Sequence, residues 1–190
     1  MAKNKYNNIL DTAKDLFWKH GFKRVSVEEI CRKANVSKMT YYKHFPNKIE
    51  LAKTVYNNEM KKGTLKFRNI MEADIDPAEK IKKLILLKVE GTNNISKEFL
   101  ADFFTSSEPE LKKFVEERTK ISWNEILNDF KKAQQTGWIR KDIRPEFLIH
   151  ISLKAADIIT DPELLKLYDN PQDLIIEYVN FAFYGMSPRG

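Results

Sequence analysis

Residues 26–51, SVEEICRKANVSKMTYYKHFPNKIEL, constrain the fold most tightly, because they carry start and stop signals for two short helices. Ser26 is a good N-cap, and the glutamate three residues later completes a capping box. Asn35 stands where the chain must turn, and asparagine tolerates the positive φ that such turns need. Ser37 can cap a second helix, which a proline then ends. Two helices joined by so short a turn predict a helix-turn-helix unit, whose second helix enters the major groove of DNA.

The second helix, KMTYYKHF, is rich in hydrogen-bond donors and aromatic rings for its length. Side chains of these types contact phosphate oxygens in protein–DNA complexes, which favours a DNA-reading helix. The alternative is a solvated amphipathic helix that keeps Tyr41 and Phe45 in a core. We expect a three-helix core around this unit, and its members are Phe17, Phe22, Val27, Ile30, Ala34, Val36, Tyr41, Phe45 and Leu51.

The formal net charge of +6 is unevenly distributed along the 190 residues. Residues 1–60 carry 12 Lys and Arg against 6 Asp and Glu, whereas residues 61–190 carry 21 of each kind. The excess positive charge therefore lies in the third of the chain that contains the helix-turn-helix pattern. Basic charge confined to such a segment is the electrostatic footprint expected of a DNA-binding module.

Composition favours a cytoplasmic protein with no membrane segment. No run approaches the ~18 apolar residues of a membrane span, and the N-terminal residues lack the apolar core of a signal peptide. The single cysteine, Cys31, cannot form an internal disulfide, which agrees with a reducing compartment. We expect Cys31 to be a packed small residue, and the alternative is a redox sensor.

Every other segment is predicted to be helical, and no stretch alternates with the period of two that a strand needs. A first helix is expected over 6–20, with Gly21 at its C-cap. Capping residues followed by proline mark later helix starts, most clearly at Asp76 in EADIDPAEK. The sequence therefore predicts an all-α fold, with a connector helix over 48–69 and further helices over 78–94, 96–105, 110–136, 145–160, 162–168 and from 171 onward.

Two of the predicted C-terminal helices are apolar nearly all round, over 147–159 and 174–184. A surface helix shows one apolar stripe, so these two should be covered on several sides. A second copy of the chain is a natural cover for the last helix, and the alternative is a helix internal to the core. The sequence predicts a homodimer whose interface contains Phe147, Ile151, Ile158, Ile175, Tyr178, Val179 and Phe183.

The sequence does not favour an enzyme. Its three histidines, His20, His44 and His150, lie far apart, and no HExxH, CxxC, GxGxxG, P-loop or GxSxG pattern is present. We therefore expect no catalytic residue, no metal site and no cofactor. The competing hypothesis is a helical adaptor or scaffold protein that keeps the fold without specific DNA reading, and it predicts only weak, non-specific DNA binding.

The helix-turn-helix stretch resembles the DNA-binding domain of TetR-family transcriptional regulators. The preceding segment, ILDTAKDLFWKHGFKRVSV, is similar to the family's first helix and turn. The chain departs from the family at Cys31, Asn35 and Met39, where Ala, Gly and Gly are common. The residues that carry the resemblance are Ser26, Val27, Ile30, Ala34, Val36, Ser37, Thr40, Tyr42, Phe45, Lys48 and Leu51.

The resemblance implies an all-helical homodimer with a DNA-binding domain at 1–50 and an effector-binding and dimerisation domain at 51–190. Members usually repress transcription at an operator in double-stranded DNA and release it when a small molecule binds. Carried over by position, the candidates for base-edge or groove contacts are Lys38, Met39, Tyr41 and Lys43. The candidates for phosphate contacts are Ser26, Thr40, Tyr42, His44 and Lys48.

We expect the effector pocket between the helices at 78–94, 96–105, 110–136 and 145–160, because aromatic residues are dense there. The alternative is that these aromatic stripes are core and that the neighbouring polar groups face water. The candidate aromatic lining residues are Phe99, Phe103, Phe104, Trp123 and Phe130. The candidate polar groups are Glu90, Asn93, Asn94, His150 and Asp157.

Overall fold

A computed structural model describes residues 5–105 and 108–187, and every regular element in these ranges is a helix. The predicted all-α class is therefore confirmed. The helices are α1 (Lys5–Arg24), α2 (Val27–Lys33), α3 (Lys38–His44), α4 (Lys48–Glu72), α5 (Pro77–Gly91), α6 (Lys97–Phe104), α7 (Pro109–Gln135), α8 (Pro145–Leu153), α9 (Ala155–Ile159), α10 (Pro162–Leu165) and α11 (Pro171–Met186). None of the helices in the described residues is long and apolar enough to cross a membrane.

The predicted caps start the helices as the sequence indicated. The side-chain oxygens of Ser26 and Ser37 each accept a hydrogen bond at 3.1 Å from the backbone N–H three residues later. Asn47 does the same at the start of α4, at 2.9 Å, and Asp76 caps α5. Asn35 adopts the expected positive φ, 54°, in the turn between α2 and α3. Each cap satisfies an otherwise unpaired backbone donor and contributes about 1 kcal/mol.

Gly21 interrupts α1 near its end with φ 78° and ψ 169°. A side chain there would also collide with α6, because a Cβ atom would lie 2.7 Å from Oδ2 of Asp102 and 2.8 Å from Cβ of Glu98. Both the backbone conformation and the close approach of α6 therefore require glycine at this position.

The single helix predicted over 145–160 is wrong, because α8 and α9 are separated at Lys154. The N–H of Lys154 donates to the carbonyl oxygen of Ile151 at 3.0 Å and to that of His150 at 3.3 Å. This i→i−3 bond tightens the turn and ends the α-helical ladder without a glycine or proline. The following helix, α10, also ends earlier than predicted, at Leu165.

The chain forms two compact units, each built from two stretches of sequence. The N-terminal unit comprises residues 1–60 and 94–116, and the C-terminal unit comprises residues 61–93 and 117–190. The predicted boundary after residue 50 does not follow this division, because α6 and the first parts of α4 and α7 belong to the N-terminal unit. Long-range packing of α6 on α1 is the physical reason.

Aromatic contacts hold α6 on α1 in the N-terminal unit. The Trp18 and Phe99 ring centroids are 4.4 Å apart, and the Phe99 and Phe103 centroids are 4.3 Å apart. The backbone N–H of Ser96 donates to the carbonyl oxygen of Trp18 at 2.9 Å. Phe99 and Phe103 are buried, so the expectation that they line an effector pocket is corrected: they form core. Phe104 is half-buried beside Phe99 in the same unit.

The core of the C-terminal unit lies among α4, α5, α7, α8, the turn after α7 and the end of α11. Within this unit, α11 packs against α5. Ile175 and Val179 are buried by the chain's own packing, so the prediction that they lie in a dimer interface is corrected. The main buried cluster consists of Met71, Leu84, Ile126, Phe130, Ala133, Trp138, Ile139, Ile149 and Met186.

Candidate nucleic-acid interface

The α2–turn–α3 segment is held by backbone hydrogen bonds that fix the angle between its two helices. The N–H of Ala34 donates to Ile30 O at 2.8 Å, and the N–H of Val36 donates to Cys31 O at 3.0 Å across the turn. Cys31 is buried, as expected, and burial raises the pKa of its thiol. The turn is therefore a compact, internally bonded connection.

The inner face of α3 anchors this helix in the N-terminal core. Tyr41 is 0% exposed and Phe45 is also buried, one helical turn apart. The Tyr41 hydroxyl donates to Asn47 O at 3.4 Å, and burial raises the pKa of this phenol. The expectation that Tyr41 contacts base edges is therefore corrected, because its side chain is enclosed by the protein.

The outer face of α3 presents the remaining predicted contact residues together. Met39 is 70% exposed and Tyr42 is 54% exposed. Lys38, Lys43 and His44 are exposed as well. Positions 38, 39, 42 and 43 share one side of a helix by 3.6-residue periodicity, opposite Tyr41. One short helix thus offers two ammonium groups, a phenol, an imidazole and a thioether to a ligand in front of it.

Hydroxyl groups at the two helix starts border this face. The Oγ atom of Ser37 lies 3.0 Å from Oγ1 of Thr40, which is half-buried. Ser26 is exposed, and its oxygen accepts the cap bond of α2. A hydroxyl that accepts a cap bond keeps its own proton for donation, and Ser26 uses it in a hydrogen bond to the Glu28 carboxylate, so a phosphate contact by Ser26 requires exchange of this partner.

Lys38 is already paired in the free protein. Its ammonium donates to the carboxylate of Glu28, which joins the start of α3 to α2. The hydrogen bond from Lys38 lowers the pKa of Glu28, and the same bond raises the pKa of Lys38. Both side chains are more than half exposed, so water screens the pair. A base contact by Lys38 requires exchange of this partner.

The Lys48 ammonium points into the unit rather than toward solvent. It donates to Phe22 O and to Val25 O, both at 2.8 Å, and lies 4.2 Å from the centroid of the Phe22 ring. Burial lowers the pKa of Lys48. Two of its three N–H donors are used inside the protein, which corrects the expectation of a mainly phosphate-directed side chain.

The structure adds Tyr6, which the sequence reasoning did not select. Its ring stacks on Phe45 with centroids 5.3 Å apart and meets His44 edge-on at 5.6 Å. These contacts orient the imidazole at the end of α3. The usable sequence signal was an aromatic residue at the start of α1, next to Lys5.

Except for Asn94, which is in the N-terminal unit, the remaining candidate effector residues lie in the C-terminal unit, where they do not form one cluster. Trp123 and Phe130 have ring centroids 6.4 Å apart, and Phe130 is buried core. Glu90, His150 and Asp157 are exposed, so they face solvent in this conformation. Two pair with surface lysines, Glu90 with Lys66 at 3.4 Å and Asp157 with Lys154 at 3.5 Å, and Asn93 and Asn94 are exposed too.

An open groove of about 310 Å³ lies instead on the N-terminal unit, beside α1 and the end of α2. It is outside the helices in which the effector pocket was expected. Its lining residues are Thr12, Asp15, Leu16, Lys19, His20 and Lys33.

Residues 9–55 match the family described as "Bacterial regulatory proteins, tetR family". Over 58 residues the chain is 36% identical to the Transposon Tn10 TetC protein of Escherichia coli, a match that covers 30% of this chain and 29% of TetC. Over 190 residues it is 25% identical to YdgC of Bacillus subtilis (strain 168), an uncharacterized HTH-type transcriptional regulator. That match covers 96% of this chain and 92% of YdgC.

Solved structures share the whole fold. The fatty acid degradation regulator FadR from Bacillus halodurans is 20% identical, with a TM-score of 0.71 and 100% of both chains covered. The ketosteroid transcriptional regulator KstR2 of Mycobacterium tuberculosis is 15% identical, with a TM-score of 0.58 and coverage of 100% of this chain and 98% of KstR2. At these identities the likeness concerns the fold alone.

The α2–α3 unit, its exposed basic helix and the all-helical remainder define a helix-turn-helix DNA-binding regulator. Within that class, residues 9–55 match the DNA-binding domain of the TetR family of bacterial transcriptional regulators. YdgC, FadR and KstR2, which match over nearly the whole chain, are all described as regulators.

Proposed function

We propose that the protein is a transcriptional repressor of the cytoplasm that binds a palindromic operator as a homodimer and is released by a small-molecule effector. The observation that carries this proposal is the division of α3 into two faces. Tyr41 and Phe45 anchor the helix, while Lys38, Tyr42 and Lys43 face outward. A recognition helix needs this combination, because it must be rigid in the protein and exposed to the groove.

Exposed aromatic residues on α8 and α11 support the homodimer. Phe147, Phe181 and Tyr184 are all more than half exposed. Clustered apolar side chains on a surface mark interaction sites, and a two-fold interface is the commonest solution for identical chains. The proposed interface therefore keeps the exposed residue Phe147 and the partly exposed residues Ile151, Ile158, Tyr178 and Phe183, and gains Phe181 and Tyr184.

A dimer would present two copies of α3 to DNA, commonly about 34 Å apart, or one helical turn. The effector would act by changing that separation, because α4 runs unbroken from Lys48 to Glu72. A ligand can shift the equilibrium only through different affinities for the two states. Partly buried aromatic residues such as Phe67 and Trp123 around the C-terminal core favour an apolar effector. The names of FadR and KstR2, which refer to fatty acid degradation and ketosteroids, point the same way.

Selection of duplexes from a random double-stranded library with the purified protein tests this function. We expect a palindromic consensus with half-sites about one turn apart, and binding that weakens steeply with salt. A scrambled duplex of the same composition is the control. Uniformly weak binding to every duplex would instead support the adaptor hypothesis. The selected operator placed before a reporter gene then distinguishes a repressor, which lowers expression, from an activator.

A further inference from the structure

The connection between α1 and α2 is bonded to the start of α4. Lys48, the first residue of α4, donates to the carbonyl oxygens of Phe22 and Val25, both at 2.8 Å. These carbonyls immediately precede the helix-turn-helix, and Lys48 follows it directly. One ammonium group thus links the segment just before α2 to the residue with which α4 begins, after α3.

A carboxylate on α6 holds the same connection from another direction. Asp102 is 6% exposed, and its Oδ2 atom accepts a hydrogen bond from the backbone N–H of Lys23 at 2.9 Å. That residue lies between the two carbonyls bound by Lys48. The same oxygen lies 2.7 Å from the Cβ position that any side chain at Gly21 would occupy. The connection therefore packs so closely against Asp102 that no side chain fits at position 21.

The charge of Asp102 also acts on Lys48. Burial lowers the pKa of Lys48, and the negative charges of Glu108 and Asp102 partly offset that effect. A partly buried ammonium is stabilised when nearby negative groups compensate for its lost hydration. The Asp102 carboxylate thus attracts the ammonium group that holds the two carbonyls.

The helix that carries Asp102 is itself fixed. The hydrogen bond from Ser96 to Trp18 and the contact between the tilted rings of Trp18 and Phe99 attach α6 to the C-terminal half of α1. The carboxylate is therefore presented from a packed helix rather than from a mobile loop. Its position relative to the α1–α2 connection is determined by the aromatic core.

We propose that Asp102 is a positioning residue for DNA recognition: it fixes the α1–α2 connection, and through Lys48 the orientation of α3, without touching DNA. This inference rests on the proposed DNA-reading function. It assigns a role in operator affinity to a buried residue of α6, far in sequence from the helix-turn-helix. A positioning role differs from a purely stabilising one, because it changes the specific affinity of the folded protein.

The test compares specific and non-specific binding of Asp102→Ala, Asp102→Asn and the control Asp11→Ala. Asp11 is exposed on α1, so its replacement removes the same charge without touching the connection. The probes are the best duplex selected by the parent protein and its scrambled counterpart, used at a temperature at which circular dichroism shows every variant folded. Fluorescence anisotropy gives both affinities.

For Asp102→Ala we expect about a tenfold loss of affinity for the selected duplex, the size of one hydrogen bond to a charged group. Affinity for the scrambled duplex should stay within about twofold, because phosphate attraction tolerates a misplaced helix. Asp102→Asn keeps an acceptor oxygen for the Lys23 N–H and should recover most of the specific affinity. Asp11→Ala should show the parent's ratio of specific to non-specific affinity.

If folded Asp102→Ala keeps the parent's ratio of specific to non-specific affinity, the inference is overturned. An equal loss of affinity for the selected and the scrambled duplex would overturn it as well. If Asp102→Ala does not fold, Asp102→Glu provides the same test, since it keeps the charge but moves the acceptor oxygen away from the Lys23 N–H. A parent-like ratio in that variant would also overturn the inference. If the parent protein selects no sequence from the library, the proposed DNA-reading function is itself contradicted, and this result is distinct from a failure of the role proposed for Asp102.

Discussion

Both compact units expose large apolar side chains, but they do so in different electrostatic settings. Among the described residues of the N-terminal unit, the large exposed apolar side chains are Met39 and Tyr42, both on α3 between lysines. In the C-terminal unit, Phe181 and Tyr184 lie in a stretch, 178–187, that contains no charged residue. Charge accompanies phosphate contacts, whereas the centre of a protein–protein interface is depleted of it. The difference agrees with the two proposed partners, DNA for α3 and a second chain for α11.

Substitution of Phe181 by aspartate tests the C-terminal half of this comparison and should have the largest effect. Phe181 is 78% exposed in the single chain, so the change should leave the monomer folded. In a dimer the carboxylate would be buried without a partner, at a cost of about 3 kcal/mol, or roughly a hundredfold in the dimer dissociation constant. Sedimentation equilibrium measures this constant.

The matched control for this prediction is Leu167→Asp. Leu167 is 75% exposed and follows α10, outside α8 and α11. It should leave the dimer intact. Equal dissociation by both variants, or a dimeric Phe181→Asp protein, would show that exposed apolar residues in this unit do not mark the interface.

Substitution of Tyr42 by alanine tests the N-terminal half. If the phenol contacts phosphate, affinity should fall about five- to tenfold on selected and scrambled duplexes alike, and dimerisation should not change. Anisotropy titrations on both duplexes measure the effect. Tyr42→Phe, which keeps the ring, separates the hydroxyl contact from packing. A change in sequence preference would instead place Tyr42 at a base edge.

The N-terminal unit contains a fully buried tyrosine and the C-terminal unit a half-buried one, and the two should respond alike to alkaline pH. The hydroxyl of Tyr41 donates to Asn47 O at 3.4 Å, and that of Tyr178 donates to Ile151 O at 3.2 Å. Burial raises the pKa of both phenols above its usual range. A raised pKa in the folded state gives stability that is complete below the unfolded pKa, about 10, and is lost as the pH rises above it.

Urea unfolding between about pH 9 and pH 11 measures this loss. The free energy of unfolding should decline more gently in Tyr41→Phe and in Tyr178→Phe than in the parent protein, because phenylalanine cannot ionise. The decline should be gentlest in the double variant. A Tyr41→Phe protein with the parent's slope would mean that Tyr41 does not limit alkaline stability.

Local features of the fold were predictable because their causes lie within a few residues. Ser26, Asn35, Ser37 and Asp76 form the expected caps and turn, since each bonds or bends its own neighbourhood. The anchored and exposed faces of α3 also follow from helical periodicity, and the burial of Tyr41 was already one of the two interpretations of the sequence.

Long-range partners were not predictable from the same signals. Periodicity indicates that Phe99 and Phe103 lie on a buried face, but not that this face meets α1. Asp102 carries no local signal at all, because its partner is the N–H of Lys23, 79 residues away. A long lysine side chain such as Lys48 can turn outward or inward, and only the carbonyls it meets decide the direction.

The smallest expected effect concerns the ion pair on the DNA-reading face. Glu28 holds Lys38 in the free protein, and the hydrogen bond from Lys38 lowers the pKa of Glu28. The lowered pKa means that the pair is complete above the usual carboxyl pKa of about 4.3 and is lost as the pH falls. If Lys38 contacts DNA, Glu28 competes for its ammonium group at neutral pH. Glu28→Gln should therefore raise affinity for the selected duplex about two- to threefold in anisotropy titrations.

The matched control is Glu29→Gln, which removes the same charge from α2 but frees Lys33, with which Glu29 pairs at 3.2 Å. An equal gain in both variants would assign the effect to net charge, whereas a larger gain in Glu28→Gln identifies Lys38 as a side chain that exchanges a carboxylate for DNA.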